Sequence, residues 1–311
     1  MTKRERVMAA VEGRPVDRVP FSLWYHFRLD PPAGDGMARA ELDFYRKYSP
    51  DLLKIMHDIP FEMPHDLPQI ENSADWAHLR VLDGKSGNFG AQLATVQQII
   101  LGKGDDVSVI DTVFSIFSTA QKLCGKRTLE FLAQDPDGLH SGLRQISTSL
   151  ANYARALVGG GADGIYLAVS GAASDTMDAE TYRTHFLPYD QQILNAASAA
   201  KTNVLHHHGV GIYPEVTLGL KGFQVYCWSD RIEGNPSIRE IRLKTTSCLM
   251  AGVNEATFGT DSPEAIARQV REAISESGGR GFIVAPGCAV PTPPESSEEN
   301  LRAVGAGVVN A

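Results

Sequence analysis

Short, continuously apolar runs rich in β-branched and aromatic residues recur along this chain, each separated from the next by a segment of helical periodicity. The runs are Val19–Phe27, Asp51–Met56, Val107–Ser115, Gly164–Ser170, Val204–Gly209, Phe223–Trp228, Ser247–Asn254 and Phe282–Gly287. Several are apolar at every position (IYLAV, FIVA), the pattern of parallel strands covered on both faces. Between them, Leu143, Ile146, Leu150, Tyr153 and Leu157 recur at spacings of three and four on one helical face. Asp261 before Ser262-Pro263-Glu264 reads as a helix start, followed by the stripe Ile266, Val270 and Ile274. Ser296 with Glu299 is a second capping-box candidate. Alternating strands and helices imply parallel βαβ units with right-handed crossovers, and about eight of them suggest closure. The expected fold is α/β: a single (β/α)8 TIM barrel over residues 1–311, with elaborated loops at the C-terminal face of the strands.

A length of 311 residues alone would permit two domains, but no linker divides the chain. Gly34–Gly36 and Pro60–Gln69 read as loops, and Glu71–Phe89 resists assignment. There is no fixed-period repeat. With 43% hydrophobic and 21% charged residues, extensive disorder is excluded. Lys and Arg number 29 against 37 Asp and Glu, a net charge of −8 without a basic stripe, which argues against nucleic acid. No apolar run approaches the roughly 20 residues that span a bilayer, so no membrane role is expected. The start, MTKRERVMAAVE, is charged and lacks the apolar core of a signal peptide. Cys124, Cys227, Cys248 and Cys288 are too sparse for a disulfide framework and are expected to be reduced, in a cytoplasmic protein.

Barrel chemistry belongs to the loops after the strands. Those positions here hold Asp58, Ser170 with Asp175 nearby, the triplet His206-His207-His208, Trp228-Ser229-Asp230, Asn254-Glu255 and Cys288. On a strand, His206 and His208 share a face while His207 points the other way. If the shared face is the barrel interior, two imidazoles converge at its mouth, and Cys288 could complete a three-ligand site. Borderline-soft Zn²⁺ takes nitrogen and thiolate ligands, and three protein ligands leave a fourth position open for chemistry. Asp58 is a candidate acid/base or substrate-orienting carboxylate. Cys124, Cys227 and Cys248 read as buried small hydrophobes. Gly159, Gly161 and Gly164 satisfy G-x-G-x-x-G, but they follow a helix and lead into a strand. That order is the reverse of a dinucleotide site, so they read as a helix end and turn.

The motifs RERVMAAVEGRPVDRVPFSLW, DLLKIMHDIPFEMP, TVFSIFSTAQKLCG, GADGIYLA, ETYRTHFLPYDQQIL, VLHHHG and IVAPGCAVPTPPESSEENLRA together resemble the uroporphyrinogen decarboxylase superfamily. The resemblance spans nearly the whole chain and points to the branch related to zinc-dependent cobalamin methyltransferases. It implies a single (β/α)8 barrel. In that branch zinc is held by a His-x-Cys pair in an LHxCG-like segment and by a later Cys in GC-x-VP. His206 matches the first ligand, Cys288 the last, and His208 stands where Cys is usual. His₂Cys ligation leaves zinc with about one positive charge where HisCys₂ leaves it neutral. A bound thiol should therefore lose its proton more readily and be a weaker nucleophile.

The true decarboxylases use no metal: an Asp matching Asp58 is the key residue, N-terminal arginines grip the substrate, and a His occupies the position of Cys288. Only Arg28 stands in the corresponding loop here, and TVFSIFSTAQKL lacks their functional Tyr, which argues against decarboxylation of uroporphyrinogen. The resemblance thus implies a methyl- or alkyltransferase with zinc on His206, His208 and Cys288, acting on a small-molecule thiol. The methyl donor could be a methyl-corrinoid carried by a partner protein. Asp58 and Glu255 would be catalytic, and Trp24, His26, Arg28, Ser170, Trp228 and Asn254 substrate-binding. The alternative is a decarboxylase, or a metal-assisted lyase or hydrolase, of a small carboxylate. Analogy with the family also suggests a homodimer.

Overall fold

The computed structural model describes residues 1–104 and 106–311. Seven parallel strands follow one another in chain order: β1 (Leu52–Ile55), β2 (Ser108–Phe114), β3 (Gly164–Val169), β4 (Val204–His207), β5 (Val225–Trp228), β6 (Cys248–Val253) and β7 (Phe282–Pro286). The segment around Phe21 occupies the gap between the two edges. On one side it pairs with β7, Ser22 N donating to Val284 O and Val284 N to Pro20 O, both at 2.9 Å. On the other, Asp51 N donates to Phe21 O at 2.9 Å, and Ser22 Oγ to Leu52 O at 2.8 Å. The expected first strand over Val19–Phe27 is therefore reduced to a single parallel bridge. Pro20 has no N–H to give, which limits the ladder on that edge. The architecture is a TIM-barrel-like α/β fold, its seven-stranded curled sheet closed by this short stave.

Strand parity sorts the apolar residues into two layers. Leu52, Ile110, Tyr166, Val204, Val225, Cys227, Met250 and Ile283 fill the interior. Their neighbours Leu53, Val109, Leu167, Leu205, Tyr226, Leu249 and Val284 face the helices. Both layers are buried, which is why the runs read as continuously apolar. The helix Pro136–Gly159 covers β2 and β3 with Leu143, Ile146, Leu150, Tyr153 and Leu157, all buried as their spacing predicts. Gly160 caps its end and Gly161 (φ 98°) turns the chain into β3, so the glycine-rich stretch is a helix terminus.

Three boundaries differ from expectation. The helix Pro263–Ser277 is capped by Ser262, not Asp261, whose carboxylate is taken by Thr257 Oγ and Gln269 Nε2. The helix Glu298–Val309 is capped by Ser297, not Ser296, which is buried. In both cases a neighbouring side chain of the right type lies one residue away, which the sequence pattern cannot separate. Gly34 (φ 88°) starts the helix Asp35–Tyr48, so Gly36 is helical rather than part of a loop. The unassigned stretch Glu71–Phe89 contains a 3₁₀ helix, Ser73–His78, that buries Trp76, and the start of the helix Gly87–Gly102. Among the described residues, no helix is long and apolar enough to cross a membrane.

Candidate metal centre and its cavity

The C-terminal ends of β1, β3, β4 and β7 open into a cavity of about 810 Å³, lined in part by Trp24, Lys54, Ser170, His206, His208 and Cys288. His206 lies on the inner face of β4, paired in register with Ala168 and Cys227, and its ring stacks on Tyr166 at 5.2 Å. His208 follows the strand end, where its N–H donates to Val169 O at 2.8 Å, and its ring lies 5.7 Å from that of His206. Cys288 follows β7. Gly287 before it passes so close to Ser229 that an added Cβ would lie 2.3 Å from that residue's Cα, and this close approach brings Cys288 to the mouth. One potential ligand atom from each of His206, His208 and Cys288 lies within 4.8 Å of the other two.

The donor set fits a zinc ion on an observation independent of that clustering. Both ring nitrogens of His206 are buried and neither has a hydrogen-bond partner among the described residues. Burying an imidazole that way is costly, because buried polar groups in native proteins are almost always satisfied. Burial, followed by the charges of His208 and Lys54, holds its pKa well below the ordinary value, so the ring is neutral and has a lone pair to give. Cys288 is pushed up, chiefly by burial and despite a hydrogen bond from the Ala289 backbone. A cation in the site would act against that shift by favouring the thiolate.

Glu255 is not among the clustered ligands. Its carboxylate accepts from Ser229 Oγ and, at 3.2 Å, from Gly287 N, so it braces the turn that carries Cys288. Lys54, which the sequence reading passed over, points into the same cavity from β1. It is only 3% exposed, lies 4.9 Å from the Tyr166 ring centroid and 5.3 Å from that of Trp24, and its Nζ contacts Met56 Sδ at 2.9 Å. Burial lowers its pKa to about 8. A lysine inside an otherwise apolar strand (DLLKIM) is the signal that could have exposed it.

The profile of the family described as "Uroporphyrinogen decarboxylase (URO-D)" matches residues 33–308. The chain belongs to the uroporphyrinogen decarboxylase family. A methyltransferase from Methanosarcina mazei has the same fold, with a TM-score of 0.78, 18% identity, and coverage of 100% of this chain and 99% of that one. A putative vitamin-B12 independent methionine synthase from Listeria monocytogenes is similar at a TM-score of 0.58 and 12% identity, covering 88% and 86% of the two chains. A B12-independent methionine synthase from a Shewanella species, in complex with selenomethionine, gives 0.58 and 14%, covering 95% and 94%. A search of curated proteins finds no match by sequence.

Within this family fold, the residues expected to bind substrate divide into two groups. Trp24, His26 and Ser170 line the cavity. Asp58 does not itself line the cavity; its Oδ1 meets Nδ1 of His26, which does, at 2.7 Å. Burial pushes the Asp58 carboxyl up, but His26 and, beyond it, Lys54 and His57 outweigh this and hold it below the ordinary range. Arg28, Trp228 and Asn254 do not reach the cavity. Arg28 is exposed and pairs with Glu295 at 3.1 Å. Trp228 is fully buried on the helix side of β5, its Nε1 donating to Pro236 O at 2.8 Å, because inward parity on β5 belongs to Val225 and Cys227. Asn254 caps the following turn, accepting from Ala256 N at 3.0 Å. Cys124, Cys227 and Cys248 are buried, as expected, and burial pushes the Cys248 thiol up to about 12.

Proposed function

We propose that this protein is a zinc-dependent methyl- or alkyltransferase that delivers an alkyl group to a small-molecule thiol. His206, His208 and Cys288 would hold the metal. The observation that carries this reading is the unpartnered, fully buried imidazole of His206, facing a second imidazole and a thiol across a cavity. Zinc, when bound, would supply Lewis acidity that keeps an acceptor thiol deprotonated near neutral pH. The chain's own groups do the rest. Glu255 and Gly287 fix Cys288, Tyr166 and Trp24 wall the cavity, and Lys54 provides a buried positive charge toward which an anionic sulfur is drawn. At about 810 Å³ the cavity admits a small molecule and opens to solvent, where a methyl-corrinoid on a partner protein could approach.

The alternative, lysis or decarboxylation of a small carboxylate with Asp58 as general acid, is less well supported. Asp58 is held ionised by His26, which suits an orienting role and not proton donation.

The experiment is metal content together with methyl transfer. About one zinc per chain is expected, falling sharply in His206→Ala and in Cys288→Ala, with loss of methylcobalamin absorbance when a thiol is added to the zinc-loaded wild type. Full zinc content in both variants would overturn the ligand set. Release of CO₂ from a carboxylate, without methylation of any thiol, would favour the alternative.

A further inference from the structure

Asp111 sits at an outward position of β2, between Val109 and Val113 of the helix-facing layer, and is fully buried. A carboxylate there is expensive unless several donors hold it. Tyr153 OH donates to its Oδ2 at 2.8 Å and Gln92 Nε2 to its Oδ1 at 2.9 Å. Its remaining partner is His57, whose Nδ1 lies 3.4 Å from Oδ2. Among the described residues, Asp111 forms no ion pair with a lysine or arginine.

His57 lies two residues past the end of β1 and is 6% exposed. Its ring is held edge-on by Tyr153 at 5.3 Å and by Phe89 and Phe114 at 6.3 Å. It lines the metal cavity, and it also lines a second, largely apolar pocket of about 390 Å³ walled by Phe61, Met63, Phe89, Val113 and Leu150. His57, Phe114 and Lys122 are common to both spaces, so His57 stands where they meet. With Nδ1–H directed to the buried carboxylate, the other nitrogen, Nε2, carries the lone pair and has no protein partner among the described residues. A carboxylate that fixes the tautomer of an imidazole facing a cavity is the arrangement of a general base.

We infer that His57 is the base that removes the proton of the acceptor thiol, and that Asp111 is its positioning residue. This rests on the transferase reading above. The S–H bond of the acceptor breaks, its electron pair stays on sulfur, and the proton passes to His57 Nε2. The resulting imidazolium is stabilised by the Asp111 carboxylate through Nδ1–H. No oxidant or further reactant is needed. A purely structural Asp111–His57 pair would not let added imidazole restore the rate lost on removing His57, and that difference is measurable. The charged groups that also bear on His57 are Asp58 beside it in the chain, Lys122 across the junction, Glu62 in the apolar pocket, and Lys54 on β1.

The test is methyl transfer from methylcobalamin to 2-mercaptoethanol by the zinc-loaded full chain, read as the rate of absorbance change. His57→Gln should slow transfer about 10²-fold with zinc content unchanged, because the thiol has lost its base. Added imidazole should restore part of that rate, which it would not do for a merely structural histidine. Asp111→Asn should lie between, and ¹⁵N-histidine spectra should show its His57 shifted toward the other tautomer, since the carboxylate that fixes it is gone. Those spectra also give a reading in wild type alone: neutral His57 should be the Nδ1–H tautomer. Equal rates in wild type and His57→Gln, or an Nε2–H tautomer in wild type, overturn the base assignment and leave the transferase reading intact. A zinc-loaded chain that methylates no thiol overturns the transferase reading and this inference with it.

Discussion

Two adjacent histidines on β4 face opposite sides of one strand and have opposite chemistry. His207 points toward the helices, where Nδ1 meets Tyr226 OH at 2.8 Å and Thr217 Oγ1 at 3.0 Å, and Nε2 meets Ala172 O at 2.8 Å. His206 points into the barrel and, among the described residues, has no partner at either nitrogen. Burial lowers the pKa of both. The outer ring is therefore a finished piece of structure, while the inner ring is held ready for something absent from the protein chain. The same contrast runs around the barrel. Polar groups outside the barrel such as Asp190 and Asn203 are satisfied by several donors or acceptors, whereas inward Lys54 meets, among the described residues, a thioether and two aromatic faces.

This contrast can be broken by substitution. The largest effect expected is on metal affinity. His206→Ala should weaken zinc binding at least about 10³-fold, since one of three protein ligands to a metal bound by some 10 kcal/mol or more is removed. His207→Ala should leave zinc affinity within a few-fold of wild type, as competition with a chromophoric chelator would show.

Stability should respond the other way round. His207→Ala leaves Tyr226, Thr217 and Ala172 with buried unpaired groups and a cavity, and should destabilise by about 3 kcal/mol in urea unfolding. Metal-free His206→Leu removes no hydrogen bond and should be neutral or stabilising, within about 1 kcal/mol. If metal-free His206→Leu is destabilised as strongly as His207→Ala, the inner ring is structural after all.

Lys54 extends the comparison to pH. Its folded-state pKa of about 8 lies below the ordinary lysine value of 10.5, so between these values the unfolded chain binds more protons than the folded one. Stability from this group therefore rises as pH increases from about 8 to 10.5, by on the order of 3 kcal/mol in all. Lys54→Met should stabilise the protein at pH 7 by a similar order and abolish that rise relative to wild type. Equal slopes of stability against pH in the two proteins would contradict the assignment. The smallest effect is reserved for Glu255→Gln, which keeps one acceptor for the Cys288 turn but loses the charge. It should cost about 10-fold in zinc affinity without a change in urea midpoint.

Much of this was legible in the sequence, for identifiable reasons. Strands buried on both faces announce themselves as unbroken apolar runs, so the barrel could be read before its closure was seen. On a strand the i, i+2 spacing of His206 and His208 fixes a shared face, and His208, one residue past the end of β4, keeps it. Which face is inward is a matter of register, and there the reading went astray: Trp228 has the outward parity on β5, as His207 does on β4. Asn254 lies past the strand end, in a turn where parity no longer applies. Arg28 is diverted by Glu295, a partner 267 residues away that no local pattern reveals. Lys54 and Asp111 were visible only as exceptions, each a charge inside an apolar run, and their partners come from other elements.

The most direct measurement is zinc K-edge X-ray absorption on the zinc-loaded wild-type protein. The account predicts a first shell containing two nitrogens at about 2.0 Å and one sulfur at about 2.3 Å, with the sulfur contribution gone in Cys288→Ser. A shell without sulfur in the wild type, or one unchanged in Cys288→Ser, would contradict it.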